Sequence, residues 1–325
     1  MRLGVVGTNF ITDWLLEAAE EIPEIQVQAV FSRKQETGEA FAKKHRIPEV
    51  YTDFEAFLNG PIDIVYVATP TYAHCRQTLE ALKHKKHVLC EKVMAVNERE
   101  VQSMIDCAGE NQVVLLEAMR PDFDPALQIL SANLPRIGKL RRVTLEYCQY
   151  SSRYDRFRAG EILNAFNPAL SNAAIMDIGV YCIHSLVRLF GAPKSVKACS
   201  TMLHNGFEGN GIVLMQYEDM IAEAVYSKID HSVHPSVFQG EDGSITVDVI
   251  SKPQKVELNL RNGHRELLPY TPVKNNMVYE LRKLLELIEN HQYNHPYLTH
   301  SLNAIRVMDE ARRQNGIVFD ADILS

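Results

Sequence analysis

Two groups of residues in this 325-residue chain have side chains that could work on a reacting oxygen. The first is Cys90-Glu91-Lys92, a charged pair directly after the apolar run His87-Val88-Leu89-Cys90. At the carboxyl end of a strand in an open parallel sheet, a lysine meets the crevice where ligands bind, and burial and neighbours tune its charge. An arbitrary Glu-Lys pair is usually a solvated surface pair; the strand in front of this one favours a site. The second group is Asp177 and Tyr181, four residues apart and so on one face of a helix, with His184 and Arg188 extending that face. A tyrosine whose pKa falls from about 10 beside an ammonium could carry a proton, and Lys92 could be that ammonium and polarise the oxygen. His184, one turn further on, is the alternative carrier. Taken alone, Asp177 and Tyr181 read equally as a cap-like acid and a core tyrosine. Arg120 stays open between a ligand contact and a structural ion pair.

The opening segment Leu3-Gly4-Val5-Val6-Gly7-Thr8-Asn9-Phe10-Ile11-Thr12 is a strand, a tight turn and a helix start. Backbone N–H groups and the positive helix end make such a turn the place for a dinucleotide pyrophosphate. The usual G-x-G-x-x-G pattern retains only its first glycine, Gly7; Asn9 and Thr12 stand where the other two belong. Asn tolerates positive φ, so the turn survives, and Thr12 asks for slightly looser packing of helix on strand. At the end of the second strand the chain reads Val30-Phe31-Ser32-Arg33-Lys34, with no acid for a ribose 2′-hydroxyl. A hydroxyl and a guanidinium there suit a 2′-phosphate, so the expected cofactor is NADP(H), with NAD(H) the alternative.

These residues need a scaffold, and the pattern supplies one. Over the first 120 residues, apolar strands at 2–6, 25–31, 62–69, 87–90 and 113–118 alternate with helices near 10–21, 36–45, 74–85 and 97–110. That βαβ rhythm predicts a doubly wound, Rossmann-type parallel sheet. Beyond Pro121 the strands 140–147, 195–202, 211–217, 221–228, 243–250 and 255–260 follow one another, several on short turns, and predict an antiparallel sheet. A long helix over 173–190 interrupts them, and two more near 274–292 and 299–315 close the chain. The expected organisation is α/β: a dinucleotide-binding domain over 1–120 and an α+β substrate-binding and oligomerisation domain over 121–325.

Composition narrows the class. Hydrophobic residues make up 46% and charged residues 23%, as in an ordinary globular protein, and the net charge is −7. A chain this acidic, with both signs interspersed, lacks the basic patch of a nucleic-acid binder. No apolar run reaches the roughly 18 residues a membrane span needs. There is no leader-like N-terminal segment, and six cysteines are scattered without C-x-x-C pairs; a reducing, cytoplasmic location is expected. His231-x-x-His234 and His291-x3-His295 lack a neighbouring carboxylate or thiol at ligand spacing, and no metal is expected.

Gly7-Thr8, Ala68-Thr69-Pro70-Thr71-Tyr72-Ala73-His74, Cys90-Glu91-Lys92 and Asp177-Ile178-Gly179-Val180-Tyr181 together resemble the glucose–fructose oxidoreductase/inositol dehydrogenase (Gfo/Idh/MocA) family, from end to end. The resemblance implies that Gly7, Thr8, Asn9, Phe10 and Ile11 hold the pyrophosphate and that Ser32 and Arg33 hold the adenosine ribose or its phosphate. It implies that Thr69, Pro70 and His74 line the cofactor and that Glu91 and Lys92 flank the nicotinamide. Lys92, Asp177 and Tyr181 would be catalytic, Lys92 near the reacting carbon and the other two as the acid/base pair. The expected reaction is NADP(H)-dependent hydride transfer to or from a sugar, sugar derivative or small polyhydroxylated carbonyl compound, in a cleft between the domains. The alternatives are an NAD-dependent polyol or inositol-type dehydrogenase and a non-catalytic dinucleotide-binding sensor. A homodimer or homotetramer is expected through the outer face of the antiparallel sheet.

Two departures from the family pattern bear on these expectations. Val93 replaces the family's proline after the lysine; if the loop relies on a cis bond, a non-proline residue favours trans and a displaced Lys92. Tyr181 replaces the histidine common in inositol dehydrogenases, which points toward the dihydrodiol and sugar-carbonyl branch. Pocket walls are expected from loops over 151–172 and 231–239.

Overall fold

A computed structural model describes residues 1–323, which form two compact units. The first comprises Met1–Met119 and Lys274–Thr299; the second comprises Arg120–Val273 and the chain from His300 on. The segment Lys274–Thr299, expected in the second domain, therefore belongs to the first. Its helix explains this: Met277, Leu281 and Leu284 are buried, and the helix packs on the first helix of the chain and on the last strand of the first sheet.

The first unit is built on six strands, β1 (Arg2–Val6), β2 (Gln26–Phe31), β3 (Glu49–Tyr51), β4 (Ile64–Val67), β5 (His87–Glu91) and β6 (Leu115–Ala118). All pair parallel in the order β3-β2-β1-β4-β5-β6. Its helices are α1 (Phe10–Ala19), α2 (Gln35–His45), α3 (Phe54–Leu58), α4 (His74–Lys83) and α5 (Glu98–Asn111). The strands β4 and β6 are buried at every position; β4 reads as an unbroken apolar run, while β6 carries the buried Glu117. The order reverses at β1, so the chain leaves β1 and β4 in opposite directions at one edge, the usual ligand crevice of such sheets. Gly7, Ser32, Thr69 and Lys92 all follow strand ends on that edge. The short β3 and α3 escape periodicity because three and five residues hold less than two turns of any pattern.

The second unit carries β7 (Leu140–Cys148), β8 (Ser195–Met202), β9 (Glu208–Gln216), β10 (Ile221–Ser227), β11 (Ser236–Gly240), β12 (Gly243–Val247), β13 (Val256–Leu260) and β14 (Arg265–Leu267) in one sheet of order β14-β13-β12-β11-β7-β10-β9-β8. It is antiparallel except for β7 and β10, which run parallel in register from Arg142↔Ile221 to Cys148↔Ser227. The long intervening chain lets β10 return in the same direction as β7, so the sheet is mixed rather than purely antiparallel. The strand β11 takes the last four residues of the 231–239 segment expected to be a loop. The expected helix over 173–190 begins as a π-helical turn at Ile175–Gly179 and continues as α6 (Val180–Phe190). Two neighbours account for the irregular turn. The Ile175 N–H donates to Glu208 at 2.7 Å, and Gly179 lies against the Tyr226 ring, whose atoms would be 2.9 Å from an added Cβ.

Candidate active site

The turn after β1 fits a dinucleotide phosphate. Gly7 has φ +111°, and a Cβ there would stand 2.5 Å from the Ala68 carbonyl oxygen, so only glycine allows this approach of β1 to the end of β4. Asn9 corrects the expectation about its backbone. Its φ is −94°, an extended conformation, and it serves as the N-cap of α1. Its Oδ1 accepts from Ile11 N–H at 3.0 Å and Thr12 N–H at 3.4 Å, while its amide donates to the Ala68 carbonyl at 2.7 Å. Asn9 is thus a clamp from the helix start to the end of β4, a task glycine could not perform. Thr12 is fully buried, so the helix does accommodate the larger residue. Thr8 is half-buried, and Phe10 is 54% exposed with its ring edge-on to Trp14.

At the end of β2, Ser32 is buried and its hydroxyl donates to the Lys34 carbonyl at 3.0 Å. Its own turn therefore engages it, and charge at this position comes from Arg33, which is exposed and makes no ion pair among the described residues. Residues 30–34 at this tip include no acid.

Around Lys92 the support is acidic and buried. Glu91 is 7% exposed and accepts from Tyr66 Oη at 2.5 Å and from the Lys92 N–H at 3.2 Å. Burial, and then Glu91, push the Tyr66 phenol well above its ordinary pKa, so it stays a donor. Glu117, at the end of β6, accepts from the Met94 N–H at 2.8 Å. His74 is 1% exposed, with Nε2 2.8 Å from the Thr69 carbonyl and Nδ1 3.0 Å from the Val93 carbonyl. It therefore bridges the loops after β4 and β5. Burial lowers its pKa, against the hydrogen bonds to those two carbonyls. The Lys92–Val93 peptide is cis, contrary to the expectation that valine would leave it trans. His74, Glu117 and the Cys90 thiol, which donates to the Met94 carbonyl at 3.4 Å, fix the course of the loop without a proline. Thr69 donates from its hydroxyl to Gln77 at 2.7 Å, and Pro70 is exposed beside it.

In the second unit the support is cationic. One oxygen of Asp177 lies 2.7 Å from the ammonium of Lys228; the Asp177 side chain is 38% exposed and that of Lys228 only 4%. Tyr181 is 6% exposed and accepts from the Arg120 guanidinium at 3.3 Å, with the same guanidinium 5.6 Å from its ring centre. The Tyr147 ring packs at 5.7 Å. Arg120, left open by the sequence, is thus a partner of the predicted proton carrier. His184, the alternative carrier, is buried with Nδ1 3.1 Å from the buried Asp122, which points to a structural pair. Glu208 accepts from Ile175 N–H and from Tyr226 Oη at 2.9 Å, and burial raises its pKa to about 7. Among the described residues no group of three or more His, Cys, Asp or Glu could hold a metal ion.

Sequence reading overlooked Lys228, Glu117 and Glu208. Glu117 stands near the end of β6 and Lys228 just past β10, as Lys92 does past β5, whereas Glu208 opens β9; their partners lie 23 (Met94), 51 (Asp177), and 33 and 18 (Ile175 and Tyr226) positions away.

Comparison with known proteins extends the picture. Residues 1–119 match the family model of an oxidoreductase family with an NAD-binding Rossmann fold (GFO_IDH_MocA), and residues 135–246 match the GFO/IDH/MocA C-terminal domain. The chain is 44% identical over 325 residues to scyllo-inositol 2-dehydrogenase (NADP(+)) IolU of Bacillus subtilis, covering 99% of each. It is 28% identical over 340 residues to mouse trans-1,2-dihydrobenzene-1,2-diol dehydrogenase, again covering 99% of each. In fold it is similar to the 3-ketoreductase KijD10 of Actinomadura kijaniata, in complex with NADP and TDP-benzene, with a TM-score of 0.84, 21% identity and 97% of each chain covered. The two relatives fall on either side of the division drawn from Tyr181, and the inositol enzyme is the more similar. Tyr181 alone therefore does not separate this chain from inositol dehydrogenases.

Proposed function

From the chain's membership of the Gfo/Idh/MocA oxidoreductase family, we propose that it is an NADP(H)-dependent dehydrogenase of a cyclic polyol, sugar or sugar derivative. The observation that carries the reading is the setting of Tyr181, a buried phenol that accepts from the half-buried Arg120 guanidinium and stands four residues after Asp177. Full-length similarity to the NADP-linked scyllo-inositol dehydrogenase supports both the cofactor and the substrate class. Arg33, exposed at the end of β2 with no acid beside it, supports a 2′-phosphate.

When bound, the dinucleotide supplies the nicotinamide that accepts or donates a hydride. Gly7, Thr8, Asn9, Phe10 and Ile11 hold its pyrophosphate, and Arg33 its 2′-phosphate, while the Ser32 hydroxyl maintains the turn that presents Arg33. Thr69 and Pro70 line the cofactor, and His74 shapes that wall by joining the Thr69 and Val93 carbonyls. Glu91 anchors Lys92, whose ammonium donates to the substrate oxygen. Tyr181 takes the proton from that oxygen as a carbinol is oxidised, or returns it as a carbonyl is reduced. Arg120 stabilises the Tyr181 phenolate, the form that accepts the proton in oxidation and that is left after the proton is given in reduction, and Asp177 orients the substrate hydroxyl toward Tyr181.

The location we propose is cytoplasmic, supported by six free cysteines; among the described residues no helix is long and apolar enough to cross a membrane. We also propose a homodimer or homotetramer through the outer face of the second sheet, where Ile212, Leu214 and Ile221 are 44, 42 and 50% exposed.

The test is a panel of inositols, aldoses, ketoses and a trans-dihydrodiol with each cofactor. Turnover of a polyol or sugar with NADP(H), with affinity for NADPH falling about tenfold or more in Arg33→Ala and NADH binding unchanged, is the expected result. Preference for NAD(H), indifferent to Arg33→Ala, overturns the cofactor. Tight cofactor binding without turnover of any panel member favours the sensor.

A further inference from the structure

Lys228 follows β10 directly, and its side chain is 4% exposed. A buried ammonium is costly unless its hydrogens meet partners. One N–H here meets Asp177 Oδ2 at 2.7 Å, and another meets the Ala165 carbonyl at 2.7 Å. The charge also lies 5.0 Å from the Phe166 ring centre and 5.1 Å from that of Phe207. The backbone of the same residue donates to the Gly209 carbonyl and accepts from the Ser151 N–H, both at 2.9 Å. Lys228 therefore grips the segment 151–166 at both ends, by main chain at Ser151 and by side chain at Ala165. Phe157, Phe166 and Phe207 form a buried cluster beneath that segment. With two of its hydrogens on protein groups and its side chain 4% exposed, this lysine bears on the reaction through Asp177.

We propose that Lys228 is a positioning residue: it fixes the orientation of the Asp177 carboxylate and locks the segment 151–166 to the strand from which it projects. The inference rests on the role proposed above for Asp177, and it extends that role to a residue that itself touches neither substrate nor cofactor.

The experiment is a double-mutant cycle with Lys228→Met and Asp177→Asn, assayed on the panel substrate turned over fastest. Lys228→Met is expected to lower kcat and kcat/KM together, by about a hundredfold, because the interaction lost serves the transition state. The Kd for NADPH should be unchanged, since Gly7 and Arg33 belong to the first unit. In the Asp177→Asn background the same substitution should cost less than about threefold, the mark of two residues acting as one. Hydrogen exchange over residues 151–166 should quicken in Lys228→Met and stay at the wild-type rate in Asp177→Asn.

Costs that multiply in the double variant, or wild-type kcat in Lys228→Met while Asp177→Asn is crippled, overturn the inference and leave the proposed function standing. If Asp177→Asn retains wild-type turnover, the role of Asp177 falls and the inference with it. Unchanged exchange over 151–166 in Lys228→Met sinks the locking half. Lys228→Gln, whose amide can still donate to the Ala165 carbonyl, carries the same cycle if the methionine variant does not fold.

Discussion

The two units support their candidate functional residues with opposite charge. In the Rossmann unit a cation, Lys92, follows a buried carboxylate, Glu91, and a second buried acid, Glu117, holds the loop beyond it. In the second unit an acid and a phenol, Asp177 and Tyr181, are each held by a cation, Lys228 and Arg120. Asp177 and Tyr181 thus lean on cations, while Lys92 is set by acids that hold its loop. A charged group aimed by hydrogen bonds loses little freedom on meeting a ligand, and its field acts where water is scarce. The difference lies in how the support is made. The Rossmann half uses acceptors at strand ends aimed at backbone N–H groups, so the loop itself is fixed. The second half uses long cationic side chains aimed at the functional groups themselves.

Four substitutions, with His184→Asn as a comparison, probe this contrast. Lys92→Met should have the largest effect, a loss of about a thousandfold or more in kcat/KM with NADPH affinity within a few-fold of wild type, measured by steady-state kinetics and fluorescence titration. A variant retaining a tenth of the activity would show that polarisation of the oxygen comes from elsewhere. Tyr181→Phe should cost roughly a hundredfold or more in kcat, the usual worth of a positioned acid/base group. If His184→Asn is the more damaging of the two, the proton travels through the buried pair with Asp122 instead.

The next effect is on stability and its pH dependence. Burial raises the pKa of Glu208 from 4.5 to about 7, so the folded state favours its protonated form. The sign follows: that stability is fully present below pH 4.5 and is lost as pH rises through about 7, by up to about 3 kcal/mol. Glu208→Gln cannot ionise and should flatten this decline; urea unfolding at pH 5 and pH 8 reads it, and parallel curves for the two proteins would refute it. The smallest effect should come from Glu117→Ala. Removing the acceptor for the Met94 N–H should cost about 1–3 kcal/mol in unfolding free energy, with a modest fall in turnover as the Lys92 loop loosens. Full stability with normal turnover would mean that His74 and Cys90 fix this loop unaided.

The scaffold was legible in the chain because local patterns encode it. Five of the six Rossmann strands are apolar enough to read as strands, and the parallel order follows from their alternation with helices. Lys92 was legible for the same reason, as a charge at the end of a buried run. The spacing of Asp177 and Tyr181 suggested a shared helical face, but the π-helical turn was not visible, because it depends on Tyr226 and Glu208 from distant strands. Asn9 read as a tolerated substitute for glycine, whereas its amide bond to Ala68, 59 residues on, makes it a clamp. The affiliation of 274–299 was likewise hidden, since an apolar stripe says that a helix is buried but not against what.

The sequence by itself determined most of the longer strands and helices, the residue types at the strand ends and the absence of an acid in the residues directly after β2. Those depend on periodicity of 2 and 3.6 and on side-chain chemistry, which act over a few residues. Only tertiary structure decided which charge supports which: Lys228 for Asp177, Arg120 for Tyr181, Glu117 for the loop of Lys92. Those pairings join residues 51, 61 and 23 positions apart, and they exist because burial leaves a charged group stable only where the fold brings it a partner.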